Sequence, residues 1–290
     1  MEKNDSYLKF IDEALEVAKS IPRYFSKFSK KLYCNHQKFT IYVLMQKLKM
    51  TTRGVVSFFK NNLDVRLYLG LHNVPSHSTI VRFVKKIKKF TYAMLEIKQA
   101  SIVAVDATGF ELESKSYYYR KIDQDLFHNY LRKTKHYMKL SIVVDTNTQF
   151  ILAHKMRYGP RNDNIDFKEL LRDFKVDYVV ADKGYSSKYN RRFVLNKLHA
   201  MPIIPYRKNE GVYKLNRGRN KLLFNEEIYH QRSKVETVFS VIKRKYGSFL
   251  RCRSYATQKV ELTCRLVAYN IDRKINYLLF FIRGLHQSSF

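Results

Sequence analysis

The stretch from Asn225 to Gly247, NEEIYHQRSKVETVFSVIKRKYG, decides how the rest of the chain is read. It predicts one long helix. Asn225 can cap the first turn, Glu226 and Glu227 put negative charge where free N–H groups gather, and Gly247 stands where a helix stops. At about 100° per residue, positions 3, 7 and 14 apart share one stripe. Tyr229, Arg232, Glu236 and Lys243 have that spacing, with Ser233 and Ser240 on the same side. Ile228, Val235, Val238, Phe239, Ile242 and Tyr246 make an apolar arc beside them. One acid therefore stands among phosphate-type donors at the rim of a buried face. A solvated, charge-paired helix face has the same composition, so the stripe takes its meaning from what comes before it.

Two β-branched runs precede it. SIVAVDATGF (101–110) and VDYVVADKGY (176–185) read as buried strands, each delivering an aspartate at its end, Asp106 and Asp182. One such aspartate is ordinarily a cap or a turn residue. Two of them and a later glutamate at a helix rim can converge if the strands pair centrally and the helix packs across them.

The order Tyr229, Arg232, Glu236, Lys243 resembles the signature around the third acid of the DDE transposases of prokaryotic insertion sequences, in the insertion sequence four/five group. The blocks VAVDATGF, VVADKGY and YHQRSKVETVFSVIK carry the resemblance, which covers the chain from about residue 40 to 275. It implies that Asp106, Asp182 and Glu236 are the catalytic, metal-binding triad. It also implies that Tyr229, Arg232 and Lys243 contact DNA and orient its phosphate backbone. The interval from Asp182 to Glu236 is too short for the large subdomain that some relatives insert there, which leaves open whether a hairpin intermediate forms.

Composition points the same way. The 290 residues carry 55 Lys and Arg against 25 Asp and Glu, a formal charge of +30, spread along the whole length. Such a balance favours a polyanionic partner, and 22 tyrosines among the bases favour nucleic acid over a membrane surface. Cys34, Cys252 and Cys264 are too scattered for a disulfide framework, and Cys34 with His36 has no second pair to complete a zinc site. The N-terminus lacks a secretory apolar core and the run Tyr277 to Ile282 is too short to span a bilayer. The expectation is a soluble, cytoplasmic, nucleoid-associated protein with no membrane partner.

Upstream, residues 1–98 read as helical, with Leu8, Ile11, Ala14, Leu15 and Ala18 on one helix and Ile41, Leu44, Met45 and Leu48 on another. A third follows Thr51 and Thr52. VPSHST then caps a basic helix, Ser78 to Phe90, that carries Arg82, Lys85 and Lys86. This suits a helix-turn-helix-like module whose last helix lies in or near a DNA groove; a packing subdomain with a solvated basic face is the alternative.

Residues 111–136, rich in Tyr and bases, read as an exposed connection near the substrate. MKLSIVVDTNT and QFILAHKMRYG predict a hairpin around Asp145 to Thr148, and Ile165 to Phe174 a helix. After the second aspartate come a helix (SSKYNRRFVLNKLH), a strand (AMPIIPYR) and a basic loop, Asn209 to Phe224. Thr257 to about Arg283 predicts a last helix packing on the catalytic core. The fold class is therefore α/β, a ribonuclease-H-like mixed sheet with flanking helices (99–290), preceded by an all-helical DNA-binding domain (1–98).

Oxygen ligands without histidine or thiolate select two Mg²⁺ or Mn²⁺ ions, suited to in-line phosphoryl transfer. The function expected is an insertion-sequence transposase that binds terminal inverted repeats of double-stranded DNA, cleaves, and joins 3′-ends to target DNA. Holding two ends together implies a homodimer on DNA. A nuclease of the same fold without strand transfer, and an inactive or domesticated DNA-binding protein, are the other two readings.

Overall fold

The computed structural model describes residues 2–88, 99–112, 137–159, 162–207 and 224–287, with side chains from 7 to 277. The expected connection at 113–136, the basic loop at 208–223, and Lys89 and Phe90 lie outside the described residues. The chain divides into two compact units, Leu95–Lys243 and Met1–Met94 with Arg244–Phe290.

The first unit is built on a mixed sheet. Its strands are β1 (Ile102–Leu112), β2 (Tyr137–Asp145), β3 (Ile151–Tyr158), β4 (Tyr178–Ala181) and β5 (Met201–Ile203), in the order β3-β2-β1-β4-β5. β1 pairs antiparallel with β2 and parallel with β4, and β4 pairs parallel with β5. The sequence explains the centre: Val103, Ala104, Val105, Val179, Val180 and Ala181 are fully buried, as expected of strands covered on both faces. On one face Phe167, Leu170, Leu171, Val176 and Val194 complete the core with Val103, Val105 and Val179. The expected hairpin forms. Asp145 accepts from the backbone N–H of Asn147 and Thr148 and so closes the turn.

The helix expected at Ile165 to Phe174 is shorter, α6 (Asn164–Leu170). At seven residues it cannot rest on intrinsic propensity. It is held by Phe167 in the core and by ion pairs to the hairpin, Arg157 and Lys155 to Asp166, Lys155 to Glu169, and Lys139 to Asp163 just before it. α7 (Lys188–Lys197) follows β4 with Ser187 as its cap.

The Asn225–Gly247 stretch is two helices, α8 (Glu226–His230) and α9 (Ser233–Tyr246), not one. Asn225 does cap the first, accepting from Ile228 N–H, and Gly247 ends the second at φ +106°. Between them Gln231, Arg232, Lys234 and Val235 bond back three residues instead of four. The Ser233 hydroxyl takes the His230 carbonyl at 2.9 Å, a local bond that competes with the helical ladder.

The second unit contains α1 (Glu2–Ala18), α2 (Asn35–Lys47), α3 (Thr52–Asn61), α4 (Leu63–Tyr68), α5 (His77–Ile87) and α10 (Tyr255–Gln287). α2 is buried continuously from Phe39 to Gln46, which fits its lack of a polar face, and α1, α5 and α10 pack around it. Cys34 is its N-cap and His36 bonds Ile21 O. The expectation that the last helix packs on the catalytic core is corrected. Residues 244–290 group with the N-terminal helices, tied there by polar groups that hydrophobic periodicity does not register.

The tie is specific. Buried Glu261 accepts from Arg265 at 2.5 Å and from the N–H groups of Arg251 and Cys252, while Arg265 also donates to Gln46 Oε1 and Gly247 O. Removing one partner of a buried pair leaves the other charge uncompensated. Glu261→Ala is expected to destabilise the protein by about 3–5 kcal/mol. A thermal or urea denaturation curve unchanged from the parent would show the network to be dispensable.

Candidate active site

β1 leaves its parallel ladder with β4 at the pair Val105↔Ala181, while its antiparallel ladder with β2 continues through Asp106↔Ile142. Asp106 is thus mid-strand, not at a strand end as the sequence suggested, but it is the first residue beyond the parallel pairing. Asp182 is the first residue beyond β4. Both aspartates therefore directly follow the last paired residues of the two strands, at the carboxyl edge of parallel strands where ligands of α/β sheets bind, and the charge of Asp182 acts on the Asp106 carboxyl.

Asp106, Thr108 and Phe110 alternate to one face of β1. Two cations of the 225–247 stretch meet that face. Arg232, in the turn between α8 and α9, reaches Asp106 Oδ2 at 3.8 Å and Glu236 Oε1 at 2.5 Å. Lys243 donates to Thr108 Oγ1 at 2.7 Å and lies 5.5 Å from the centre of the Phe110 ring. Glu236 itself is exposed, at 53%, against 21% for Asp106 and 23% for Arg232. Tyr229 packs on Phe224, ring centres 5.2 Å apart. Arg82, Lys85 and Lys86 are exposed on α5 in the helical unit.

The electrostatics centre on Asp106. Burial pushes its carboxyl up to about 6, against the downward pull of its bond from Ala107 N–H and of Arg232; the neighbouring charges of Asp182 and Glu236 push it further up. Burial, being the largest influence, prevails. Burial also lowers the Lys243 ammonium from its ordinary range.

Three residues without an assigned role in the sequence reading belong here. Tyr185, the last residue of VVADKGY, is buried with its hydroxyl lacking a hydrogen-bond partner among the described residues, and burial with the charges of Asp163, Asp106 and Asp182 raises its pKa. Arg207 donates to the carbonyls of Lys183 and Gly184, and Asn190 Nδ2 to the Tyr185 carbonyl at 2.9 Å. Together they hold the turn that carries Asp182. The signal available in sequence was the unbroken DKGY run; the contacts of Arg207 and Asn190 are tertiary and leave none.

The donor set, Asp106, Asp182 and Glu236, is all hard oxygen and suits Mg²⁺ or Mn²⁺ in its chemistry. Among the described residues no three acids stand close enough to hold one ion jointly, and Glu236 is paired with Arg232. A cavity of about 1100 Å³ lined by Ser101, Arg172, Asp177 and His199 lies at the other end of β4 from Asp182 and has no part in this site.

Comparison with known proteins adds the following. Residues 97–271 match a family model described as transposase DDE domain, and residues 1–86 one described as transposase domain (DUF772). No curated protein matches the chain. Among solved structures, the piggyBac transposase synaptic complex with hairpin DNA aligns with TM-score 0.52 at 11% identity, over 90% of this chain and 71% of that one. The Drosophila P element transposase strand transfer complex aligns with TM-score 0.32 at 14% identity, over 88% of this chain and 61% of that one, too loosely to bear on the fold.

The Asp106 environment sets a pH dependence. Its folded pKa lies above the unfolded value, so its contribution to stability is fully present below pH 3.8 and is lost as pH rises through about 6. Asp106→Asn, which cannot ionise, is expected to melt above the parent protein in EDTA at neutral pH, by at most about 3 kcal/mol. The advantage should vanish toward pH 4. Melting curves from pH 4 to 8 whose difference does not change with pH would exclude burial of this carboxylate as the cause.

Proposed function

The chain belongs to the transposase DDE domain family, and from that premise we propose that it is an insertion-sequence transposase. In this reading it binds the inverted terminal repeats of its element, cleaves the phosphodiester backbone and joins the freed 3′-ends to target DNA. The observation that carries it is the placing of Asp106 and Asp182 immediately after the last paired residues of β1 and β4, with Arg232 between Asp106 and Glu236. The finer assignment, to the insertion sequence four/five group, rests on the spacing of Tyr229, Arg232, Glu236 and Lys243.

Asp106, Asp182 and Glu236 would hold two Mg²⁺ or Mn²⁺ ions. When bound, such ions activate water or a 3′-hydroxyl and stabilise the leaving oxygen of an in-line displacement. The chain's own residues do the rest. Arg232 and Lys243 present positive charge along the β1 face and orient the backbone phosphates, with Tyr229 at the entry of the same stretch. Arg207, Asn190 and the buried Tyr185 keep the Asp182 turn fixed, while Glu236 has to leave Arg232 to join the two aspartates.

Residues 1–98 would recognise the element ends through Arg82, Lys85 and Lys86 of α5, and residues 99–290 would supply the chemistry. Binding to double-stranded DNA follows from the charge of +30 and is consistent with the synaptic complex of the piggyBac transposase with hairpin DNA. Two ends must be joined in one reaction, which calls for a homodimer on DNA. No helix among the described residues is long and apolar enough to cross a membrane, in keeping with work on the nucleoid in the cytoplasm.

The test resolves nicked, cut and joined products from terminal-repeat DNA in Mg²⁺. Asp106→Asn, Asp182→Asn and Glu236→Gln should each lower cleavage and joining by more than about a hundredfold, beyond what loss of an outer-shell partner produces. Binding of the same DNA should change little, since it comes from the basic surfaces. Cleavage without any joined product would favour the nuclease reading, and robust cleavage by Glu236→Gln protein would remove this helix from the site.

A further inference from the structure

In the helical unit, α5, the turn between α2 and α3, and the segment Arg251–Thr257 enclose a groove of about 540 Å³. Its floor is apolar, formed by Tyr42, Met45, Met50 and Val84. Its rim carries three cations, Lys85, Arg251 and Arg253, all exposed. Lys85 and Arg253 have no ion-pair partner among the described residues. Arg251 donates one nitrogen to the carbonyls of Lys49 and Met50, which fixes the guanidinium without neutralising it.

The one acid lining the groove is Glu261, and its charge is already compensated by Arg265 at 2.5 Å and by two backbone N–H groups. The uncompensated charge of the groove is therefore entirely positive. α3 and α10 also begin at this groove, at Thr52 and Tyr255, and their first-turn N–H groups add to the same sign of potential.

We propose that this groove seats the sugar–phosphate backbone of duplex DNA, so that Arg251 and Arg253, from the segment before α10, share the contact with Lys85 of α5. A DNA strand has the matching chemistry, apolar deoxyribose faces and one phosphate charge every 3.4 Å along each strand. Phosphate contacts of this kind position a protein on the duplex and leave base reading to other side chains. The groove also separates the three bases of α5: Lys85 lines it, while Arg82 and Lys86 do not and remain available to a neighbouring groove of the duplex. The inference rests on the transposase reading for its ligand class and extends it to residues outside the expected recognition helix.

The experiment measures full-chain binding to duplex DNA by fluorescence anisotropy across salt concentrations, for the parent, Arg253→Glu, Lys85→Glu and a control, Lys9→Glu, on exposed α1 surface away from the groove. Each groove variant should bind about tenfold or more weakly at moderate salt and reduce the slope of log affinity against log salt by about 1. Lys9→Glu should change the slope by much less. The milder Arg253→Gln and Lys85→Gln serve where a charge reversal lowers the melting temperature, and should show the same direction.

Unchanged slopes in both groove variants, with parent protein that binds DNA, would overturn this inference and leave the transposase reading intact. An equal loss in Lys9→Glu would also overturn it, since general charge would then account for the effect. A shift in oligomeric state with DNA affinity preserved would assign the groove to a second copy of the chain. Parent protein that binds no duplex DNA at low salt would instead overturn the reading underneath.

Discussion

A carboxylate placed where burial resists its ionisation is the constraint on which the sheet unit depends. For Asp106 to sit so, β1 must be paired on both sides, and it is, with β2 antiparallel and β4 parallel. The parallel ladder ends one residue before the aspartate, at Val105↔Ala181, and Asp182 directly follows Ala181. Two influences favour the charged form, the Ala107 N–H and Arg232, and burial outweighs both. The site is therefore short of positive charge when its acids are ionised.

Arg232 is the group that partly relieves the shortage, and its position follows from the break between α8 and α9. In a continuous helix Arg232 would project from the same cylinder as Tyr229. The three-residue bonding of Gln231 and Arg232, and the capture of the His230 carbonyl by Ser233, turn the backbone there. Arg232 can then address Asp106 on β1 while remaining one helical turn before Glu236, and it spans 3.8 Å to one and 2.5 Å to the other. Lys243, farther along α9, fixes the same helix to the same strand through Thr108. A polar stripe that could have been a solvated face thus meets a strand.

Sequence made the local parts of this legible and the relations among them much less so. The buried strands around Val103–Val105 and Val179–Ala181, the Asp145 turn, and the caps Asn225, Ser76 and Thr51 all follow from short-range pattern and hydrogen-bonding chemistry. The break at Gln231–Arg232 did not, because helix propensity and apolar period run through it without interruption. The true position of Asp106 within β1 was hidden for a related reason. Its strand continues to Leu112 in one ladder and stops at Val105 in the other, a distinction that exists only once three strands are assembled. α6 ends at Leu170, earlier than the apolar period suggests, and the backbone turns at Asp173 with φ +64°.

The assignment of the last helix shows where a sequence family and a compact unit part company. The family match runs to residue 271 and so includes α10 as far as Ile271, yet residues 244–290 group with the N-terminal helices. The polar contacts explain the grouping. Lys47 and Lys245 both pair with buried Asp272, Tyr246 donates to it at 2.6 Å, and Arg265 reaches Gln46 on α2. Leu262, Leu266 and Val267 are buried between these pairs, so apolar area and charge compensation act on the same helix. The N-terminal helices are therefore completed by the chain's last segment. A boundary drawn near residue 98 from helical and strand periodicity separates secondary-structure classes, but it cuts through the set of residues that bury one another.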